Sequence, residues 1–409
     1  MDPDRIARIQ EALREERLLG WLLFDFHGSN PIARSVLEMV EGPTAPKTTR
    51  RWFYLIPASG EPEKVVHRLE PHSLDHLPGA VRIYLTWQEL DRALAEVVGR
   101  LLASAPGSGR AKAAIAMEYS PLARLPYVSR VDAGTVDSVR ATGVEVVSSA
   151  DMAQRFGGVL SAAAREDHRR TGVLVHGVIQ GALGRARDSA RAGTRLTEVS
   201  LQRWIQEQFE AAGLVSSDPP TVAVNAHSGD PHFTPAPGHD APIGRGDFLL
   251  IDAWAKAAHA GAVYADYTQV VFLGPSAPQR HREVFAAVRD ARDAAIASVR
   301  EALRAGRVIR GCDVDDAARA VIRERGFGER FVHRTGHSIG TEVHANGVHL
   351  DNLETRDERR LLEGSLVSVE PGIYLDDFGV RSEVNLLIDG GDAVVTTEPI
   401  QRELPALLP

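Results

Sequence analysis

Four acidic residues sit where an acid is costly. Asp252 follows the apolar run Phe248-Leu249-Leu250-Ile251, and Asp266 lies in the returning run Tyr264 to Phe272. Glu370 closes the apolar segment that begins at Ser365, and Glu383 is embedded in Val380 to Ile388. A carboxylate among Leu, Ile and Val must be paired or bound to a cation before it can be buried. Asp252 alone could be a solvated strand end or a turn cap. Two hairpins carrying four acids in comparable positions are harder to treat that way. Their mutual repulsion would raise their pKa values or disrupt the fold. Divalent cations relieve such a cluster best.

Histidines lie nearby in the chain. Phe331 to Leu350 reads FVHRTGHSIGTEVHANGVHL, with His337 between Gly336 and Ser338-Ile339-Gly340. Those glycines permit sharp turns and close backbone approach. His344 follows seven residues later, and the upstream loop NAHSGDPHFTP presents His232. His227, His259, His333 and His349 read as ordinary surface or core histidines.

Regular elements must position these groups. Period-two alternation puts Tyr264, Asp266 and Thr268 on one strand face. Helical spacing of apolar residues predicts helices over Glu166–Ala190, Thr197–Ala212, His281–Ala305 and Asp313–Arg325. In front of them lies a mixed α/β pattern. Helices are expected at Arg5–Leu18 and Trp87–Ser104, and strands at Trp21–Phe24, Arg51–Pro57, Lys64–His67 and Ala113–Met117. This part has no phosphate-binding glycine loop and no nucleophile elbow. The stretch Asp151 to Ala164, with its Gly157-Gly158 pair, reads as a junction. The expected organisation is an N-terminal domain over 1–155, a linker over 156–165 and a catalytic domain over 166–409.

Composition narrows the setting. The 409 residues carry 47 Lys plus Arg against 55 Asp plus Glu, a net charge of -8. That balance argues against general nucleic-acid binding. The single cysteine, Cys312, excludes an internal disulfide framework and any cysteine-rich metal site. It suits a reducing cytoplasm. The first twenty residues are charged throughout, unlike a signal peptide, and the apolar runs are too short to span a bilayer. A cytoplasmic protein with no membrane or nucleic-acid partner is expected.

The segments LLIDAW, YADYT, TGHSIG, SVEPGIY and GVRSEVN occur in that order. Together they resemble the pita-bread metallopeptidases, which include methionine aminopeptidases, Xaa-Pro aminopeptidases and prolidases (peptidase family M24). The front domain resembles that of the creatinase, prolidase and Xaa-Pro aminopeptidase branch. The resemblance implies an α/β N-terminal creatinase/prolidase-like domain and an α+β C-terminal pita-bread domain. It implies Asp252, Asp266, His337, Glu370 and Glu383 as ligands of two divalent metal ions, with Asp266 and Glu383 bridging. Such an oxygen-rich set favours Mn(II), with Co(II), Fe(II) or Zn(II) as the other choices.

The implied chemistry is attack on the scissile carbonyl by hydroxide formed from a water bridging two Lewis-acidic ions. Glu370 takes the proton and passes it towards the leaving nitrogen. His232 and His344 hydrogen-bond the substrate and stabilise the oxyanion. The implied substrate is a small peptide with proline second, cleaved by an Xaa-Pro dipeptidase or Xaa-Pro aminopeptidase. Arg381 and Arg356 are the candidates for binding the substrate carboxylate. The alternatives are a creatinase-like C–N hydrolase, a metal-dependent lyase, or a silent binding homologue. A homodimer is expected from the same resemblance. Three departures from the family pattern stand out: Gln269 where Arg is common, Trp254 and Lys256 where small residues are usual, and a longer turn at Ala257 to Gly261.

Overall fold

The computed structural model describes residues 3–39, 48–104, 113–396 and 398–409. The chain divides into two units, Met1–Gly157 and Gly158–Pro409. In the first, strands β1 (Gly20–Asp25), β2 (Trp52–Pro57), β3 (Glu63–His67), β4 (Ala80–Tyr84), β5 (Ala114–Met117) and β6 (Glu145–Ser148) form one mixed sheet ordered β4-β3-β2-β1-β5-β6. Its helices are α1 (Pro3–Glu15), α2 (Pro31–Val36), α3 (Trp87–Ser104), α4 (Ala133–Arg140) and α5 (Ala150–Gly157). Central strands buried on both faces read as unbroken apolar runs. Alternation then sorts their side chains. Trp21, Leu23, Trp52 and Tyr54 meet α1, α2 and α5, while Leu22, Phe24, Phe53 and Leu55 meet α3 and α4.

Helix α5 occupies ground expected to be a junction. It forms because Met152 and Ala153 bury against the α1 and α2 side of the sheet. The next helix, α6 (Ala162–Ala192), starts inside the expected linker. Ser161 caps it by accepting from the Ala164 N–H. The connection is therefore shorter than 156–165.

The second unit continues with α7 (Glu198–Ala211), β7 (Leu214–Val215), β8 (Thr221–Val224), β9 (Phe248–Ala257) and β10 (Ala265–Phe272). Then come α8 (Gln279–Arg304), α9 (Gly311–Glu324), β11 (Leu366–Val369), β12 (Gly372–Tyr374), β13 (Gly379–Arg381), β14 (Val384–Asp389) and β15 (Asp392–Val395). Along β9 and β10, the odd positions Leu249, Ile251, Ala253, Tyr267 and Val271 pack on α6 and α7. Phe248, Leu250, Val270 and Phe272 face α8, α9 and the second hairpin instead. Asp252, Asp266 and Thr268 share this second parity, so they point inward. Asp252 is not at a strand end; β9 runs five residues beyond it and pairs with β7 through Leu214 and Ala257.

The second hairpin departs from expectation. The return strand Val380–Ile388 is broken at Ser382-Glu383, between β13 and β14, and the outgoing one is broken at Glu370-Pro371. Pro371 cannot donate to a ladder. Across the gap, Ser382 N–H reaches the Pro371 carbonyl and Glu383 N–H reaches that of Thr268, each at 3.4 Å. Both glutamates thus sit where the ladder opens. Among the described residues, no helix is long and apolar enough to cross a membrane.

Candidate metal centre

Antiparallel register sets Asp252 opposite Thr268 and Asp266 opposite Trp254. The second hairpin delivers Glu370 and Glu383 from its two breaks. The His337 loop is laid against β11 at Gly336, where a Cβ would lie 2.0 Å from the Ser368 carbonyl oxygen. His337 N–H then donates to Ser368 Oγ at 2.9 Å, and that hydroxyl donates to Glu370 Oε1 at 3.1 Å. Thr335 fixes the loop from behind, through Asp315 on α9.

Among the described residues, Asp266, His337 and Glu383 form a group that could hold a metal ion, each offering an atom within 4.8 Å of the others. Two details of this group call for a cation. Asp266 Oδ1 and Glu383 Oε1 are buried and have no hydrogen-bond partner among the described residues. His337 Nδ1 faces the Ser338 carbonyl at 3.2 Å, so it carries the proton. That leaves the Nε2 lone pair 3.3 Å from Glu370 Oε1 and 3.5 Å from Asp266 Oδ2. Three electron-rich groups facing one another are repulsive without a cation between them. The donor set, carboxylates with one imidazole, suits a hard or borderline divalent ion.

Ionisation follows the same logic. Burial, then the charge of Glu370, raises Asp266 well above the usual carboxylate range. Burial, then Asp266 and Glu370, does the same to Glu383. Burial pushes Asp252 up to about 7, although Arg381 pulls it down. Glu370 is different. Burial raises it, but His337, His333 and Arg381 outweigh that, and it stays below the ordinary glutamate value.

Arg381 is committed to the cluster. Its Nη2 donates to Asp252 Oδ2 at 2.5 Å, its Nε to Thr268 Oγ1 at 2.9 Å and its Nη1 to the Tyr374 hydroxyl at 3.1 Å. Tyr374 in turn lies 2.7 Å from His333 Nε2, while His333 Nδ1 donates to the Arg334 carbonyl at 2.7 Å. The tyrosine hydroxyl is therefore the donor to His333. Sequence reasoning passed over His333 and Tyr374, and also Asn385, whose side chain grips the Asp266 backbone. Tyr374 and Asn385 stand inside the motif segments, but their contacts span too many residues for spacing to reveal them.

The remaining candidates lie further out. His344 stands edge-on to His337 with ring centroids 4.3 Å apart. His232 is exposed, on a loop tied to the cluster where Arg381 Nη1 approaches the Pro231 carbonyl at 3.4 Å. That loop is held by Glu198, which accepts from His227 and the Val224 and Ala241 N–H groups. Arg356 is not in this network. Its side chain is 62% exposed and pairs with Glu358. Gln269 bonds Gln180 on α6 at 2.5 Å, so the position where Arg is common makes a neutral contact here.

The sequence model of metallopeptidase family M24 matches residues 167–390. An Xaa-Pro dipeptidase of Pyrococcus furiosus is 33% identical over 186 residues, 45% of this chain and 48% of that protein. The chain thus spans about half the length of the curated relatives it matches. Among solved structures, dipeptidase PepE from Mycobacterium ulcerans has a TM-score of 0.67 at 25% identity, covering 99% of this chain and 97% of that one. An X-prolyl aminopeptidase from Caenorhabditis elegans, described as a cytosolic enzyme with a di-nuclear active site, has a TM-score of 0.63 at 15% identity, covering 98% and 62%. With more than half its length matched by the family model, this chain belongs to metallopeptidase family M24.

Proposed function

We propose that this protein hydrolyses the peptide bond before proline in small Xaa-Pro peptides, with two divalent metal ions in the buried cluster. The observation that carries this reading is the partnerless oxygen pair, Asp266 Oδ1 and Glu383 Oε1, beside the His337 Nε2 lone pair. Relatives named for Xaa-Pro dipeptide cleavage supply the substrate class. Asp252, Asp266, His337, Glu370 and Glu383 would hold the ions, and their mostly oxygen donors favour Mn(II). When bound, the ions supply Lewis acidity that brings a water's pKa towards neutrality.

The chain's own residues do the rest. Glu370, ionised at neutral pH, accepts the attacking water's proton on a carboxylate oxygen and returns it to the proline nitrogen as that leaves. His344 and His232 hydrogen-bond the substrate carbonyl and stabilise negative charge as it develops there. Arg381 favours the ionised form of Asp252 and orients it, and Tyr374 and His333 keep Arg381 in place. A cytoplasmic homodimer completes the reading; light scattering at micromolar concentration would count against it by returning a monomer.

The deciding experiment offers Mn-loaded protein Ala-Pro and Ala-Pro-Ala and follows alanine release. Release from at least one substrate is expected, abolished by chelation and restored by Mn(II). Failure on both ends the reading.

A further inference from the structure

A cavity of about 310 Å³ lies between α8 on one side and β15 with the segment that follows it on the other. None of the five proposed metal ligands lines it. Spacing explains the α8 wall. Arg292, Ile296, Arg300 and Arg304 follow one another at four-residue steps, so they stack along one ridge of the helix. Ala297, on the neighbouring ridge, is too small to fill the space beside them. The opposite wall is held in place. Gln401 clamps β10 with its side-chain amide, accepting from the Val270 N–H at 3.1 Å and donating to the Val270 carbonyl at 2.9 Å. Its own carbonyl accepts from Arg292 Nη1 at 3.0 Å, and the Arg402 carbonyl accepts from Arg289 Nη1 at 3.0 Å. Arg402 therefore starts from a fixed backbone.

The lining carries four arginines, Arg292, Arg300, Arg304 and Arg402, against two acids, Asp293 and Glu301. Arg292 is 1% exposed and commits its fork to Asp293 Oδ1, Ser382 Oγ and the Gln401 carbonyl. Burial lowers its pKa most; Asp293 opposes this, and the like charges of Arg289 and Arg402 add to it. Arg300 uses only its Nε, on the Ala393 carbonyl at 2.8 Å, and its two Nη groups have no partner among the described residues. The side chains of Arg304, Arg402 and Glu301 have no hydrogen bond or ion pair there either. A cation at a helix C-terminus is ordinary. That accounts for Arg304 in the last turn of α8, but not for Arg300 a turn earlier or Arg402 on another segment.

The walls define the ligand. Guanidinium groups with free N–H on one small cavity suit an oxyanion. The excess of four arginines over two acids matches a dianion. Ile296, Val395 and Ile400 add an apolar wall, which suits an organic group attached to that anion. A phosphate monoester combines both features, with a charge of about -1.5 to -2 at neutral pH.

We propose that this cavity is a binding site for a small phosphate monoester, held by Arg300, Arg304 and Arg402 against the buried charge of Arg292. The proposal does not rest on the peptidase reading.

Calorimetry with phenyl phosphate on the full chain, both Mn-loaded and chelated, tests it. One saturable site per chain is expected in both states, weakening as salt is raised. Arg304→Gln and Arg402→Gln should each weaken binding about 10-fold, as for a lost hydrogen bond to a charged group. Glu301→Gln should tighten it by removing the unpaired acid. Arg280→Gln, at the other end of α8, should bind like wild type. The proposal falls if no saturable binding is seen. It falls if binding vanishes on chelation, which would place the ester on the metal cluster. It also falls if Arg280→Gln weakens binding as much as Arg304→Gln does, which would reduce the effect to general surface charge.

Discussion

Asn385 grips Asp266 by its backbone on both sides, its Oδ1 accepting from the Asp266 N–H at 3.0 Å and its Nδ2 donating to the Asp266 carbonyl at 2.6 Å. The amide spans the two hairpins and fixes where the Asp266 carboxylate starts from. Asn385→Ala should weaken metal binding by roughly 10- to 100-fold, the usual effect of removing a group that orients a ligand. It also strands two buried backbone groups, at about 1–3 kcal/mol each. Metal titration and urea unfolding of the same variant would read both effects.

Asp266→Asn should act in opposite directions with and without metal. In metal-free protein it removes one of the charges that raise Glu383. The chelated variant should unfold at higher denaturant than chelated wild type, by about 1–3 kcal/mol. With Mn(II) added, wild type should gain melting temperature through binding to the folded state, and the variant should not. A chelated variant less stable than wild type would contradict the repulsion argument.

Gly336→Ala tests the close approach of the His337 loop. The new Cβ would meet the Ser368 carbonyl oxygen at 2.0 Å, a backbone atom with no freedom to rotate aside. The loop must lift from β11, at about 3 kcal/mol. Chemical denaturation should show that loss, and metal affinity should fall with it because His337 moves.

The first unit should show its own pH dependence. Glu118 is fully buried at the end of β5, and accepts from Trp21 Nε1 at 2.6 Å, Asn30 Nδ2 at 2.8 Å and Ser149 Oγ at 3.1 Å. Burial outweighs these donors and pushes its pKa up to about 7 from an ordinary 4.5. Below the ordinary value both the folded and unfolded chains are protonated there. As pH rises towards 7 the unfolded chain releases the proton first, so stability falls across that window by about 3 kcal/mol and is level above it. Glu118→Gln should flatten this slope, as melting curves from pH 4 to 8 would show.

Much of the site was legible because it breaks a rule of burial. Acids inside apolar runs are conspicuous, and Asp252, Asp266, Glu370 and Glu383 announce themselves in that way. His337 was legible from its glycines. The rest depends on contacts between distant parts of the chain. Arg381 reads as a substrate group until its guanidinium is seen on Asp252, 129 residues away. His333 looks like an ordinary histidine until Tyr374 meets it. The breaks at Glu370-Pro371 and Ser382-Glu383 had one local signal, Pro371; the other arises from β10 drawing the Glu383 backbone aside. In the first unit, the apolar strands buried on both faces stood out. Strand β4 did not, because Val81 and Ile83 remain exposed and give no continuous run.

The clamp between Asn385 and Asp266 joins residues 119 positions apart. The first hairpin is synthesised while the second is still to be translated. Until then Asp252 and Asp266 have no Glu370, Arg381 or Glu383 beside them, and loop closure over such a span is slow and entropically opposed. Capture of a metal ion by the full set must therefore come late in the life of a nascent chain, and a product truncated before the second hairpin lacks Glu370 and Glu383, two of the five proposed ligands.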